Sequence, residues 1–388
     1  MLTHRGWIVA AVMGSAATAA MAQNYVEGFA DANLNGPRLY GDAAVDAGSL
    51  RLTPFDYGKS GAMVIGGGAV TSFTASFEYY FNTPVGSFTA DGMSFNLGRV
   101  PDDRIPGGAE LGSGSGLTVS FDIFDFNNDG FVSDYGIRVF FNGQVIAEAP
   151  GAITFADEGQ FRPIQISLDN SNRLTVTYNG ANVFTNLAIK DYQPDLSYRF
   201  GIAARTGGER SEQRIDNLAI NARALVAEDC RHVAEIFGDG IYWYDNTNAQ
   251  TDGAPNALCQ NAASNDITGD LWWCWTATHT GVTTVSTLGL SSSDTKLAVY
   301  QDCVPCPEAL GILACNDDAA NTLQSNLTFA AEAGTRYLIR VGNYLNSTRS
   351  PGAVSISTLG DCNADFNGDH IVNSQDFFDF LTAFFSGC

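Results

Sequence analysis

The chain is predicted to be mainly β, as two successive β-sandwiches followed by a small loop–helix tail. Three observations carry this. Period-two alternation of apolar and polar residues recurs, as in Val70-Thr71-Ser72-Phe73-Thr74-Ala75-Ser76-Phe77-Glu78-Tyr79-Tyr80-Phe81 and Leu117-Thr118-Val119-Ser120-Phe121-Asp122-Ile123. Asn142-Gly143 and Asn179-Gly180 interrupt such runs, and Asn-Gly is the strongest short signal for a two-residue hairpin. Convincing helical periodicity is scarce before the C-terminal segment.

The first element is a leader. His4 and Arg5 form a basic start, Gly6 to Ala19 is apolar or small, and Ala20-Met21-Ala22 has the A-x-A form of a cleavage site. Residues 1–22 are therefore expected to be a signal peptide, leaving 388 − 22 = 366 residues for export. No later stretch is apolar for long enough to span a bilayer. The formal net charge of −22 disfavours nucleic acid and anionic membranes as partners, because 20 Lys+Arg cannot neutralise a phosphate surface against 42 Asp+Glu. The same acidity suits divalent cations.

Residues 23–223 form the first sandwich. It contains no cysteine, so its stability must come from its own core, which about 200 residues can supply. Glu212 to Ile220 is expected to return beside the first strand. Composition then changes: of eight cysteines, six lie from Cys230 to Cys315, and the cluster Trp272-Trp273-Cys274-Trp275 appears. Residues 224–360 are expected to be a second, disulfide-stapled sandwich, with strands at 281–287, 296–300 and 337–342. An even cysteine count fits an oxidising compartment. The pairing among Cys230, Cys259, Cys274, Cys303, Cys306 and Cys315 stays open. Residues 361–388 are a polar loop followed by a Phe-rich segment of helical period.

The chemistry concentrates in residues 90–143. Ala90-Asp91-Gly92 is followed by Pro106-Gly107-Gly108-Ala109-Glu110-Leu111-Gly112, and then by Phe121-Asp122-Ile123-Phe124-Asp125-Phe126-Asn127-Asn128-Asp129-Gly130. The last of these alternates oxygen-bearing side chains with other residues around a turn glycine, which is how a hard cation collects ligands from a short segment. This ordered set resembles the leguminous-type (L-type) lectins, whose concanavalin A-like fold is a jelly-roll sandwich. The resemblance implies a glycan or polysaccharide ligand. Asp91 would be an exposed acceptor for sugar hydroxyls, and the backbone N–H of Gly107 or Gly108 a donor. Asn127 or Asn128 would supply the loop amide, and Phe124 or Phe126 a stacking ring or a metal-binding carbonyl. Calcium would be held by Asp122, Phe124, Asp125, Asn127, Asp129 and Asp134. Legume members carry a Glu two residues before the metal Asp for a transition metal; this chain has Ser120, which implies calcium alone. Phe126 reads as a one-residue insertion. Read as an EF-hand-like loop instead, Asp125, Asn127, Asp129, Gly130 and Ser133 occupy positions 1, 3, 5, 6 and 9, with Gly136 at 12 and Asp134 as substitute. The two readings differ on whether Asp122 is a ligand.

The succession from Trp272 to Ala277, Asp294 to Tyr300, Cys315-Asn316-Asp317-Asp318 and Gly334 to Val341 resembles the pre-peptidase C-terminal type domains of secreted bacterial proteins, which implies a non-catalytic appendage. In the tail, Asp365, Asn367, Asp369, Asn373 and Asp376 stand at positions 1, 3, 5, 9 and 12 of a calcium loop, with the carbonyl of Ile371 at 7. With Phe377, Phe378, Phe380, Leu381, Phe384 and Phe385 as its helical face, this resembles one repeat of a type I dockerin. It implies a cohesin-like or cell-surface partner, although true dockerins carry two repeats and His370 replaces the usual Gly at position 6. A Cys362–Cys388 bridge would close across it.

An enzyme reading finds little support. Family-16-like glucanases share the sandwich and need a Glu-x-Asp-x-(x)-Glu run, whereas the corresponding run here reads Ser120-Phe121-Asp122-Ile123-Phe124-Asp125, without the first carboxylate that would be the nucleophile. No G-x-S-x-G, H-E-x-x-H or P-loop is present. The expectation is a secreted or surface-held, non-enzymatic, calcium-dependent carbohydrate-binding protein. The alternatives are a structural or adhesive surface protein that binds protein or matrix, and a glycan hydrolase with an unrecognised site.

Overall fold

The computed structural model describes residues 25–30, 34, 36–83, 89–100, 109–124, 135–231, 233–261, 264–304, 306, 311–360, 374–375, 377–378 and 381. Alternation in the sequence becomes two stacked sheets. The back sheet runs in the order Ala181–Ala188, Arg173–Tyr178, Arg162–Leu168, Ala69–Asn82, Glu212–Leu225, Ser49–Thr53 and Ala44–Asp46, and Tyr25–Glu27 also pairs with Glu212–Leu225. The expected return strand is therefore in place, with Tyr25 opposite Ile220. The front sheet begins Gln144–Pro150, Gly136–Phe141, Leu117–Asp122, Gly92–Gly98, Arg199–Arg205 and Ser60–Gly67. Both Asn-Gly turns form as expected, Asn142 at φ 49° with Gly143 at 74° and Asn179 at 49° with Gly180 at 78°, the paired left-handed conformations of a tight hairpin.

Alternation also determines what fills the space between the sheets. Phe73 and Phe77 of the back sheet meet Phe95 and Phe200 of the front, with Phe73–Phe200 centroids at 5.2 Å and Phe77–Phe95 at 6.0 Å. Phe121, Val119 and Ile137 complete this buried layer. Aromatic pairs at these distances add directional preference to their burial.

The front sheet continues beyond the first sandwich. Next to Ser60–Gly67 come Gly240–Asp245, Pro351–Gly360, Gly281–Ser286 and Asn326–Ala331, all from the cysteine-bearing half. The joint is parallel, with Ile241 opposite Gly66 and Tyr242 opposite Gly67. Trp243 reaches through it into the first core, packing edge-on to Phe200 at 5.0 Å. The break placed after residue 223 falls inside the Glu212–Leu225 strand.

Across from this extension lies a five-stranded sheet ordered Ala234–Phe237, Thr268–Thr276, Arg336–Asn343, Thr295–Gln301 and Ile312–Asn316. Period two sorts its aromatic cluster: Trp273 and Trp275 enter the core between the sheets, while Trp272 turns to the outer face with Cys230, Cys259, Tyr300 and Leu338. The bridges are Cys230–Cys306, Cys259–Cys315 and Cys274–Cys303, which settles the open pairing. On the same face the guanidinium of Arg340 lies 4.9 Å from the centre of the Trp272 ring and pairs with Asp270 at 2.6 Å.

No helix among the described residues is long and apolar enough to cross a membrane. Ser374, Gln375, Phe377, Phe378 and Leu381 have helical backbone, and Phe377 and Phe378 are exposed. The expected leader and the expected calcium loop of the tail, with Asp365, Asn367, Asp369, Ile371, Asn373 and Asp376, lie outside the described residues, as do Cys362 and Cys388.

Candidate functional site

Strand register brings the separated motifs to one end of the front sheet. Arg205 stands opposite Gly92, Gly92 opposite Asp122, and Asp122 opposite Gly136, so four neighbouring strands end on one row. Asp91 begins just past it, after a cis Ala90–Asp91 peptide bond. Its N–H donates to the Arg205 carbonyl at 2.9 Å, and its own carbonyl accepts from the Ile123 N–H at 3.1 Å. The Ala-Asp-Gly turn is thus tied directly to the base of the acidic loop.

The glycine-rich segment arrives at the same place. After Gly108 the chain makes the short Ala109–Leu111 turn over the outer face of the front sheet, where Ser94 donates to the Ala109 carbonyl. Asn96 supports it by accepting from the Ser113 N–H at 3.1 Å and the Thr118 hydroxyl at 2.9 Å. A buried polar network of this kind locks a loop because every broken bond would strand a desolvated group. Glu110, almost wholly buried, then faces Arg205 at 2.6 Å.

Arg205 is the hub. Its Nε lies 2.8 Å from Asp91 Oδ2 while its Nη2 engages Glu110, and the Gly207 N–H also bonds the Asp91 carboxylate. This corrects one expectation: Asp91 is not an open acceptor. Its side chain is only 15% exposed, and a guanidinium already occupies one oxygen. Burial, opposed by Arg205, raises the Asp91 carboxyl above its ordinary pKa. Burial likewise raises Glu110 and Asp122.

Asp122 ends the Leu117–Asp122 strand with both oxygens engaged. Oδ1 accepts the Phe124 N–H at 3.1 Å, and Oδ2 pairs with Arg138, whose Nε reaches Glu148 at 3.2 Å. A carboxylate accepts about four bonds, so Asp122 keeps capacity for a cation. Four carboxylates (Asp91, Glu110, Asp122, Glu148) face two guanidinium groups (Arg138, Arg205) here, leaving two negative charges. Charge and donor type both fit a hard divalent ion. Of the ligands expected for it, Asp122 and Phe124 are described; Asp125, Asn127, Asp129 and Asp134 lie outside the described residues, as do Gly107, Gly108, Phe126 and Asn128.

Two contributors escaped the sequence reading. Arg205 carries no motif, and its role appears only when its strand lies beside Gly92–Gly98. Tyr57 is the other. Its loop is bound to the site because the Gly58 N–H donates to the Gly207 carbonyl at 3.2 Å and Thr206 Oγ1 donates to the Asp56 carbonyl at 2.7 Å. The Arg210 guanidinium sits 4.5 Å from the centre of the Tyr57 ring, and the residue is 52% exposed.

A cleft of about 580 Å³ opens elsewhere, on the back sheet against the second sandwich, lined among others by Thr74, Asp169, Arg173, Asn221 and Ser350. Its one aromatic lining residue, Phe73, is buried, so it offers no ring for stacking. It lies near the start of the Ala69–Asn82 strand. Ser211, which accepts from the Ala90 N–H, contacts Thr83 just beyond that strand's other end. At roughly 3.3 Å per residue the two places are about 30 Å apart.

No family model matches the chain, and no curated protein matches it. Among solved structures it is similar to the metal-free exoplasmic/lumenal domain of VIP36, at 16% identity over 49% of this chain and 85% of that one, with a TM-score of 0.37. The carbohydrate recognition domain of Emp47p is 20% identical over 52% of this chain and 96% of its own, with a TM-score of 0.41. Lectin II from Ulex europaeus is 18% identical over 52% and 98%, with a TM-score of 0.42.

Proposed function

We propose that the protein is an exported, non-enzymatic, calcium-dependent carbohydrate-binding protein whose sugar site lies around Asp91. The observation that carries this reading is convergence: the Ala-Asp-Gly turn, the base of the glycine-rich loop and the start of the acidic loop meet on one row of the front sheet. Saccharides are recognised by directional polar contacts around an apolar face. Asp91 offers its remaining lone pairs, Arg205 its fork of donors, and Gly107 or Gly108 a backbone N–H. Tyr57, with Phe124 or Phe126, supplies aromatic surface. When bound, calcium neutralises the excess carboxylate charge and orders the loop that carries Asn127 and Asn128. Asp122, Asp125, Asn127, Asp129 and Asp134 would hold it with the Phe124 carbonyl.

Export agrees with three disulfides, which persist in oxidising compartments. A hydrolase reading loses further ground at Ser120, which is wholly buried between Ser94 and Arg138 where a glucanase would need its first carboxylate. The tail, read as one dockerin-like calcium loop and helix, would attach the protein to a cell-surface or cohesin-like partner.

The test is Asp91→Asn in the full-length chain. It removes the charge at constant size, so the variant should still fold, melting somewhat below the parent because the pairing with Arg205 is weakened. It should lose at least a hundredfold in affinity for any glycan the parent retains, a change of about 2.7 kcal/mol. Unchanged affinity would place the sugar elsewhere.

A further inference from the structure

The second sandwich carries a separate concentration of negative charge that the sugar site does not use. Asp294 precedes the Thr295–Gln301 strand, while Asp317 and Asp318 follow Ile312–Asn316. These strands are antiparallel neighbours with Leu297 opposite Asn316, so the pairing brings the three carboxylates to one end of the sheet. One oxygen from each lies within 4.8 Å of the others.

The burial of this group calls for a counter-charge. Asp317 is 6% exposed, and its carboxylate has only Lys296 and Asn261 beside it, neither in good hydrogen-bond geometry; Asp294 Oδ1 is likewise buried without a donor. Fully buried Lys296 places Nζ 3.3 Å from Asp317 Oδ2, but the same ammonium donates to the Ser264 carbonyl at 3.1 Å and lies 5.0 Å from the Tyr344 ring centre. Three carboxylates against one ammonium leave two negative charges. Burial, with Asp317 and Asp318 close by, pushes the Asp294 carboxyl up to about 6. Desolvated carboxylates without donors are expensive, and a divalent cation removes that expense while using the same oxygens.

We propose that Asp294, Asp317 and Asp318 form a calcium site in the second sandwich, distinct from the acidic loop of the first. The backbone around it is already fixed. The Asp294 carbonyl accepts from Asn343 Nδ2 and Ser347 Oγ, both at 3.1 Å, and the Asp317 carbonyl accepts from Ser325 Oγ at 2.7 Å. The three carboxylates are the oxygens that would meet the ion. All three ligands are carboxylates, which selects a hard cation over zinc or copper. Asp318 is exposed, with Asn261 donating to its Oδ2 at 3.2 Å, so water can complete the shell on that side. A half-open, irregular oxygen set suits the 6–8 ligands of calcium better than the strict octahedron of magnesium. The bound ion would join the loop before one strand to the loop after its neighbour.

The experiment counts calcium bound per full-length chain by equilibrium dialysis against calcium chloride, for the parent, Asp294→Asn and Asp318→Asn. Each variant should bind one ion fewer than the parent, and magnesium chloride at equal concentration should not fill the site. In EDTA, Asp294→Asn should melt at or above the parent because a repelling charge is gone. Should it fail to fold, Asp318→Asn, at an exposed position, still decides the question. An undiminished calcium count in the folded variants would overturn the proposal and leave a charge cluster relieved by protonation. The count is a difference between variants, so it is independent of whether the parent binds glycans.

Discussion

Two arginines show why residue roles depend on neighbours the sequence places far away. Arg205 holds Asp91 and Glu110 together, and Arg340 holds Asp270 while donating to the carbonyls of Ala254, Gly253 and Ile267. Arg340 is 1% exposed and Asp270 is wholly buried. Arg340→Met would leave the Asp270 charge unpaired in the interior, a loss of about 3–5 kcal/mol for a broken buried pair. Arg340→Lys should recover only part of this, because one ammonium cannot replace a planar fork reaching four acceptors. Chemical denaturation of the two variants checks both statements, and a parent-like midpoint for Arg340→Met would contradict them. At this scale Asp91 and Asp122 were legible because each sits in a local motif. Arg205, Tyr57 and Arg340 were not, since their partners lie across strands and loops in register rather than in sequence.

Strands were the easier element to read. Alternation over 70–81 became the Ala69–Asn82 strand, whose side chains alternate between core and half-exposed positions, and both Asn-Gly turns formed. The joint between the halves was not legible. Parallel pairing through Gly66 and Gly67 leaves no periodic signature, and both glycines are needed by close approach. A Cβ on Gly66, at φ 125°, would stand 2.2 Å from the Ile241 carbonyl oxygen. Gly66→Val should therefore push the Gly240–Asp245 strand off and withdraw Trp243 from the first core. The expected loss exceeds the ~0.5–3 kcal/mol of an ordinary substitution, with calorimetric unfolding divided into two transitions. A single transition at the parental temperature would show that the joint tolerates a side chain at Gly66.

The molecule as a whole divides its means of stabilisation. The first sandwich relies on a Phe-rich core without cysteine, while the second places three disulfides on the outer face of its five-stranded sheet. That division was visible in composition; the pairing was not, because six cysteines allow fifteen connectivities. Within a chain of net charge −22, carboxylates in excess of their cationic partners meet at two sheet ends, around Asp122 and around Asp317. Under the proposed function, cation binding at the first of these would link fold to glycan recognition. Its direct measurement is a glycan array of the full-length protein in calcium, in EDTA, and after calcium is restored. Binding to a defined set of glycans is expected in calcium, with loss in EDTA and return when calcium is restored. Glycan binding of equal strength in EDTA, or no glycan bound in calcium, would contradict the proposed function.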